Sequence, residues 1–264
     1  MRKVRSPLLA VLTAICFAVP AAIDARQQTT GGRGQPGAQT ARSAAAVDLS
    51  GTWVSVITED WVNRMVTPPK GAYGNTSTRG EGGPPLNAEG IRVTNTWDPE
   101  KDDAAGEQCK GYGAVGVTRL PGYLRFNWQD DSTLKMELTA GNQVRLFHFG
   151  SGQTPAGDPT LQGFSVAGWE YAVTPSGEPR KGNLKVVTTR LRPQYSRKNG
   201  VPVSGNAQLT EYYHQMRAPN GDQWLTLILE LRDSQYLREP WVASYHFKRV
   251  PDSSPWKPEA CSAK

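Results

Sequence analysis

Chemistry in this chain would fall where charged or imidazole side chains interrupt alternating apolar residues. Alternate residues of a strand share a face, so His148 goes with Val144 and Leu146, and Glu170 with Phe164 and Val166. Arg190 follows Leu184, Val186 and Thr188, Glu211 lies between Leu209 and Tyr213, and Glu230 follows Trp224 and Ile228. A charge on a buried face costs several kcal/mol unless it is paired. These groups therefore either reach the rim of a sheet or meet one another. If they meet, Arg190 pairs with Glu170 or Glu211, and His148 and Tyr213 can carry protons near neutral pH. Two sets follow: His148, Glu211 and Tyr213 as catalytic candidates, and Glu170, Arg190, Glu211, His148 and Trp224 as ligand-binding candidates. The competing reading is a solvated sheet face on which such residues do no chemistry.

Other chemistries find no support. The chain has no nucleophile elbow, metalloprotease helix motif, calcium loop, phosphate loop or dinucleotide fingerprint. The three histidines, His148, His214 and His246, do not have metal-ligand spacing. Neither a cofactor nor a metal is therefore expected. The positive charge is spread along the chain, without basic runs interleaved with aromatics, which argues against nucleic acid as a partner. Trp128, Trp169, Trp224 and Trp241 lie on or beside strands, where packing is the ordinary role and one or two could line a pocket.

The elements that would position these groups read as strands. The runs are Gly51 to Thr58, Gly113 to Arg119, Gly122 to Trp128, Thr133 to Leu138, Gln143 to Phe149, Phe164 to Val173, Leu184 to Leu191, Gln208 to Arg217, Gln223 to Arg232 and Trp241 to Val250. Trp61 to Thr67 continues the first run past a bend, and Asn220-Gly221 marks a hairpin turn. Helix is expected only in scraps, at Asn87 to Asn95 and Asp233 to Arg238. Pro68 to Asn87 and Arg192 to Asn206 read as long loops. The second carries Arg192, Arg197 and Lys198, which would favour an anion at a barrel rim. About ten antiparallel strands with short links must hide their edges, which predicts an all-β, up-and-down barrel, with a two-sheet sandwich as the alternative.

The first strand opens Asp48-Leu49-Ser50-Gly51-Thr52-Trp53. A Gly-x-Trp at this place resembles the lipocalin and wider calycin signature, in which the glycine allows a tight entry and the tryptophan plugs the closed end. The segments around Leu209 to Tyr213 and Tyr236 to Pro240 are similar to uncharacterised exported bacterial proteins. The resemblance implies a barrel with an apolar lumen and carries over no catalytic residue. The sequence shows no counterpart of the later arginine that packs across the tryptophan.

The N-terminus reads as an export signal. Arg2, Lys3 and Arg5 precede an apolar run from Leu8 to Val19 that is too short to span a membrane, and Ala21, Ala22 and Ala25 are suited to cleavage. The expected organisation is a signal peptide over 1–25, a disordered leader over 26–46 and one barrel domain over 47–264, placed in the periplasm or secreted. No transmembrane segment is expected after cleavage. Loss of residues 1–25 lowers the formal charge from +6 to +4 and removes Cys16, leaving Cys109 and Cys261 to form a disulfide. Three functions are compatible with these expectations. The first is an exported lipocalin-like protein holding a small, partly apolar molecule, or an anion of that kind, in the lumen. The second is a metal-independent isomerase, lyase or hydrolase in the same lumen. The third is an envelope structural or interaction protein with a filled barrel.

Overall fold

The alternation of apolar residues closes this chain on itself. In a computed structural model that describes residues 39–67, 83–150, 152–173 and 179–264, nine strands form one closed barrel. In chain order they are β1 (Gly51–Ser55), β2 (Tyr123–Trp128), β3 (Thr133–Leu138), β4 (Gln143–Phe149), β5 (Phe164–Val173), β6 (Pro179–Thr189), β9 (Gln208–Arg217), β10 (Gln223–Arg232) and β11 (Trp241–Val250). Around the barrel the order is β1-β11-β10-β9-β6-β5-β4-β3-β2. Two more strands, β7 (Gln194–Arg197) and β8 (Val201–Val203), form a separate ribbon within the expected Arg192 to Asn206 loop.

The all-β expectation holds. One refinement concerns direction: β5 runs parallel to β4, paired only over Phe147↔Ser165, His148↔Val166 and Phe149↔Ala167, while the other barrel neighbours are antiparallel. The segment between Phe149 and Phe164 is long enough to return the chain to the same end before β5 begins.

The lumen is solid. Phe126, Met136, Phe147, Leu209, Tyr213 and Leu227 have no exposed surface. Phe126 and Phe147 each lie 5.7 Å, centroid to centroid, from the Tyr213 ring. Above them Trp128, Phe149 and Trp169 form a second aromatic layer with centroids 5.2–6.4 Å apart.

At one end, here called the leader end, Trp53 Nε1 donates to the Leu49 carbonyl at 2.9 Å. Arg249 is directly opposite Trp53 in the register, and its guanidinium carbon lies 5.5 Å from the Trp53 ring. No arginine was expected to pack across this tryptophan, and in the structure Arg249 does so. Gly51 (φ +107°) makes room for it, since a Cβ there would fall 2.2 Å from an Arg249 nitrogen. Residues 39–46 belong to the stretch expected as a disordered leader. In the structure, Trp169 Nε1 donates to the Ala41 carbonyl, Tyr171 Oη to that of Ala44, and Arg42 N to that of Asp131. The expected signal peptide and residues 26–38 lie outside the described residues.

The opposite, cap end carries α1 (Trp61–Met65), α2 (Ala88–Asn95) and α3 (Pro99–Ala104). The α2 helix falls where a helical scrap was expected, and Asn87 Oδ1 caps it by accepting from Gly90 N. The expected strand continuation over Trp61 to Thr67 is instead α1, where Asp60 and Arg64, one turn apart, pair at 3.0 Å. Gly113 to Arg119, also expected as a strand, is a buried turn segment ending in a 3₁₀ turn over Val117–Arg119. The loop expected over Pro68 to Asn87 falls mostly outside the described residues. No described helix is long and apolar enough to cross a membrane.

After β11 the tail leaves the leader end and runs down the outside of β2. Arg125 lies 4.3 Å over the Trp256 ring, Glu259 N donates to Thr139 O, and Cys261 is bonded to Cys109. The pairing expected of these two cysteines is present, across 152 residues of sequence. Replacing both with Ser should cost about 2–5 kcal/mol in urea unfolding, as for a disulfide closing a long loop. Limited proteolysis should then cut beyond Val250 while the barrel survives. Gly51→Ala should lower the melting temperature, because Arg249 must leave Trp53 to admit the methyl group.

Candidate functional site

The most polar place in the barrel interior is an ion pair. Arg145 of β4 shares its face with Phe147 and Phe149, and Glu211 of β9 shares its face with Leu209 and Tyr213, so both point inward. Nη1 and Nη2 of Arg145 donate to the two Glu211 oxygens at 2.7 and 2.5 Å, with both side chains fully buried. Arg145 Nη2 also donates to Thr188 Oγ1 at 3.2 Å, which in turn is 2.7 Å from Ser165 Oγ. Tyr213 Oη donates to Glu211 at 3.0 Å. Burial alone would lower the Arg145 pKa, but the Glu211 charge, followed by Tyr213, raises it above its ordinary value. Burial and then the Glu211 charge push the Tyr213 phenol well up. The network is internally satisfied except at Arg145 Nε, which lacks a partner. With no exposed surface around it, a substrate has no room beside Glu211 or Tyr213.

The residues singled out in the sequence do not converge. Only Glu211 and Tyr213 lie inside, and Arg145, not Arg190, is the partner of Glu211. His148 is on the outer face of β4, stacked on Phe164 at 5.0 Å. Glu170 is on the outer wall and pairs with Lys185 at 3.3 Å. Arg190 lies just past β6 with φ 53°, exposed, donating to the Gly157 carbonyl. Trp224 and Glu230 are on the outer face of β10. The reason lies in the facing of β4. Its sequence alternates in both phases, and burying Phe147 and Phe149 turns His148, Val144 and Leu146 outward. Arg145 was recognisable by its parity with the two phenylalanines.

A second polar cluster secures the cap. Arg64 donates to Asp60 and to the carbonyls of Thr118, Arg119 and His246, and lies over the Tyr245 and Phe247 rings. Asp60 also accepts from His246 N at 2.6 Å and is 2.7 Å from His246 Nδ1. Arg119 donates to the Asn63 and Val66 carbonyls and to Thr67 Oγ1. Burial, and then the nearby Arg197 charge, bring its pKa down to about 10. Of the rim cations expected in the Arg192 to Asn206 loop, Arg192 pairs with Glu107 at 2.9 Å and Arg197 is buried. Among the described residues no three His, Cys, Asp or Glu side chains gather as metal ligands.

Space for a ligand lies at the leader end, outside the lumen. The pairing of β6 with β9 stops at Leu184↔Tyr213, although β6 extends back to Pro179 beside β5 and β9 runs on to Arg217 beside β10. The two hairpins therefore fork. The cleft between them has a volume of about 880 Å³ and is lined by Ala45–Asp48, Gly182, His214–Arg217, Gly221–Gln223 and Arg249–Asp252. At the base of the fork His214 Nδ1 is 2.7 Å from Asn183 Oδ1. Of the three histidines only His214 lines this cleft, and no local pattern marks the point where two distant strands separate.

The described structure defines a closed, filled β-barrel consistent with the calycin type. Comparison of the chain with known protein families, characterised proteins and solved structures finds no match.

Removing one partner of the inner pair should cost more than removing both. Arg145→Met alone leaves the Glu211 charge stranded and should cost about 3–5 kcal/mol in urea unfolding. Arg145→Met with Glu211→Leu should recover much of that loss. A double variant that loses the sum of the two single losses would show that the two side chains are not coupled and would overturn this expectation.

Proposed function

We propose that the protein is an exported barrel that binds a small, partly apolar molecule, and that it does so in the forked cleft, not in the lumen. The observation that carries this reading is a cleft of about 880 Å³ on a barrel whose interior is filled by buried side chains. Ligand sites commonly occupy about 300–1,000 Å³ and combine apolar walls with a few polar groups. Here Val47, Met216 and Val250 supply apolar surface, and Arg217 and Arg249 together with Asp48, Asp222 and Asp252 supply the charged groups. Export is supported by the basic, apolar and small-residue order of the first 25 residues and by a cysteine pair suited to an oxidising compartment.

A second reading, an envelope interaction protein, is favoured by the outer wall of β9, β10 and β11. Met216, Ile228 and Val242 are exposed there, beside Tyr212 and Trp224.

The two readings separate experimentally. Native mass spectrometry of protein taken from the periplasmic or culture fraction should show a bound small molecule, and Gln215→Trp, which fills the cleft, should remove it without lowering the melting temperature. A ligand retained in Gln215→Trp would place binding elsewhere. If no ligand is found and Ile228→Asp abolishes a co-purifying protein, the interaction reading prevails. N-terminal sequencing of the exported protein should begin near residue 26.

A further inference from the structure

We infer that the cleft admits an extended peptide with a carboxylate beside Arg217, which adds as a strand to the open edges of the fork; this rests on the cleft being the binding site. The argument starts from the backbone. Every residue except proline carries a donor and an acceptor that seek partners, and the closed barrel provides those partners around most of its wall. Beyond Leu184↔Tyr213 it does not. Among the described residues, 214–217 of β9 pair only with β10, and 179–183 of β6 pair only with β5. The overhang of β5 past Ala167 lies against residues 41–44 through Trp169 and Tyr171, whereas the fork between β6 and β9 is left open. An unpaired edge is a template for another strand, and peptide-binding proteins use such edges for affinity while side chains set specificity. At about 3.3 Å per residue, the four-residue edge of β9 can pair with roughly four residues of a guest.

The charges of the lining specify the guest further. Its three carboxylates outnumber its two arginines, and only Asp222 is paired with a cation, Lys248 at 2.6 Å, while Asp48 accepts from Ser50 N and Asp252 from Thr52 N. Arg217 and Arg249 form no ion pair among the described residues, and Arg249 is held over Trp53. The attraction for an anion is therefore local to Arg217, where a peptide carboxylate beside the paired segment gains a charge-assisted contact. The exposed Arg217, at the end of β9, is placed to receive it.

The experiment uses the full exported chain and a synthetic six-residue peptide of alternating Val and Thr ending in Glu. Two N-methylated versions of the peptide block one or the other of its backbone edges. Affinity is read by fluorescence anisotropy and location by backbone amide shifts. The unmodified peptide should bind and shift amides of 180–183 and 214–217, and at least one N-methylated version should fail. Arg217→Glu should weaken binding about tenfold or more, as expected for loss of one charge-assisted contact. Equal binding by all three peptides, or shifts confined to other parts of the lining, would overturn strand addition while leaving the cleft as a ligand site. Unchanged affinity in Arg217→Glu would overturn the acidic character of the guest. If neither the peptides nor the small molecule recovered by mass spectrometry shifts an amide of the cleft, the cleft reading falls as well.

Discussion

The pairing of Arg145 with Glu211 is the constraint on which the barrel depends, because it sits where the wall is thinnest. The β4–β5 seam holds only three register pairs and is the parallel one, a geometry slightly less stable per residue than the antiparallel ladders around it. Inside that seam Arg145 reaches from β4 to Thr188 on β6 and Glu211 on β9, and Thr188 contacts Ser165 on β5. Four strands are thus held by one polar chain. The pair also selects register: a slip of one residue in β4 would turn Arg145 out and Val144 and Leu146 in, stranding the Glu211 charge among aromatic rings. Its contribution is the uniqueness of the arrangement as much as its depth.

With the interior committed to packing, both ends are closed by different means. At the leader end Arg249 lies across Trp53 in the space Gly51 leaves, with residues 41–49 laid over the opening. At the cap end Arg64 and Arg119 bond to backbone carbonyls and draw the helical segments onto Tyr245 and Phe247. A buried arginine can do this because its several donors suit carbonyl acceptors, at the cost of desolvation that lowers its pKa. Recognition in such a molecule moves to the rim, where strands of unequal length separate.

Much of the fold was legible because alternation is local. Thr133 to Leu138, Gln208 to Arg217 and Trp241 to Val250 read as strands and are strands with those limits. The site was less legible. The segment Gln143 to Phe149 supports two opposite facings, and only the greater apolar surface of two phenylalanines over Val144 and Leu146 decides between them. Arg249 could have been recognised as the partner of Trp53 from its parity with Tyr245 and Phe247. The helix over Trp61–Met65 was hidden because its stabilising contacts, Asp60 to His246 and Arg64 to Thr118, come from distant segments. The fork depends on where β6 and β9 cease to match, a comparison of positions some thirty residues apart that no window of sequence contains.

One further consequence concerns the order of events in folding. The first strand, Gly51–Ser55, is hydrogen-bonded to the last, Trp241–Val250, and the tail beyond it is tied back to Cys109. The wall therefore cannot close until the chain has been made through Val250, and contacts of such long sequence separation form slowly. Until then the chain is an open, incomplete sheet, a form that can still be threaded through a narrow channel. Closure excludes threading, and the placement of β11 sets how late closure can come.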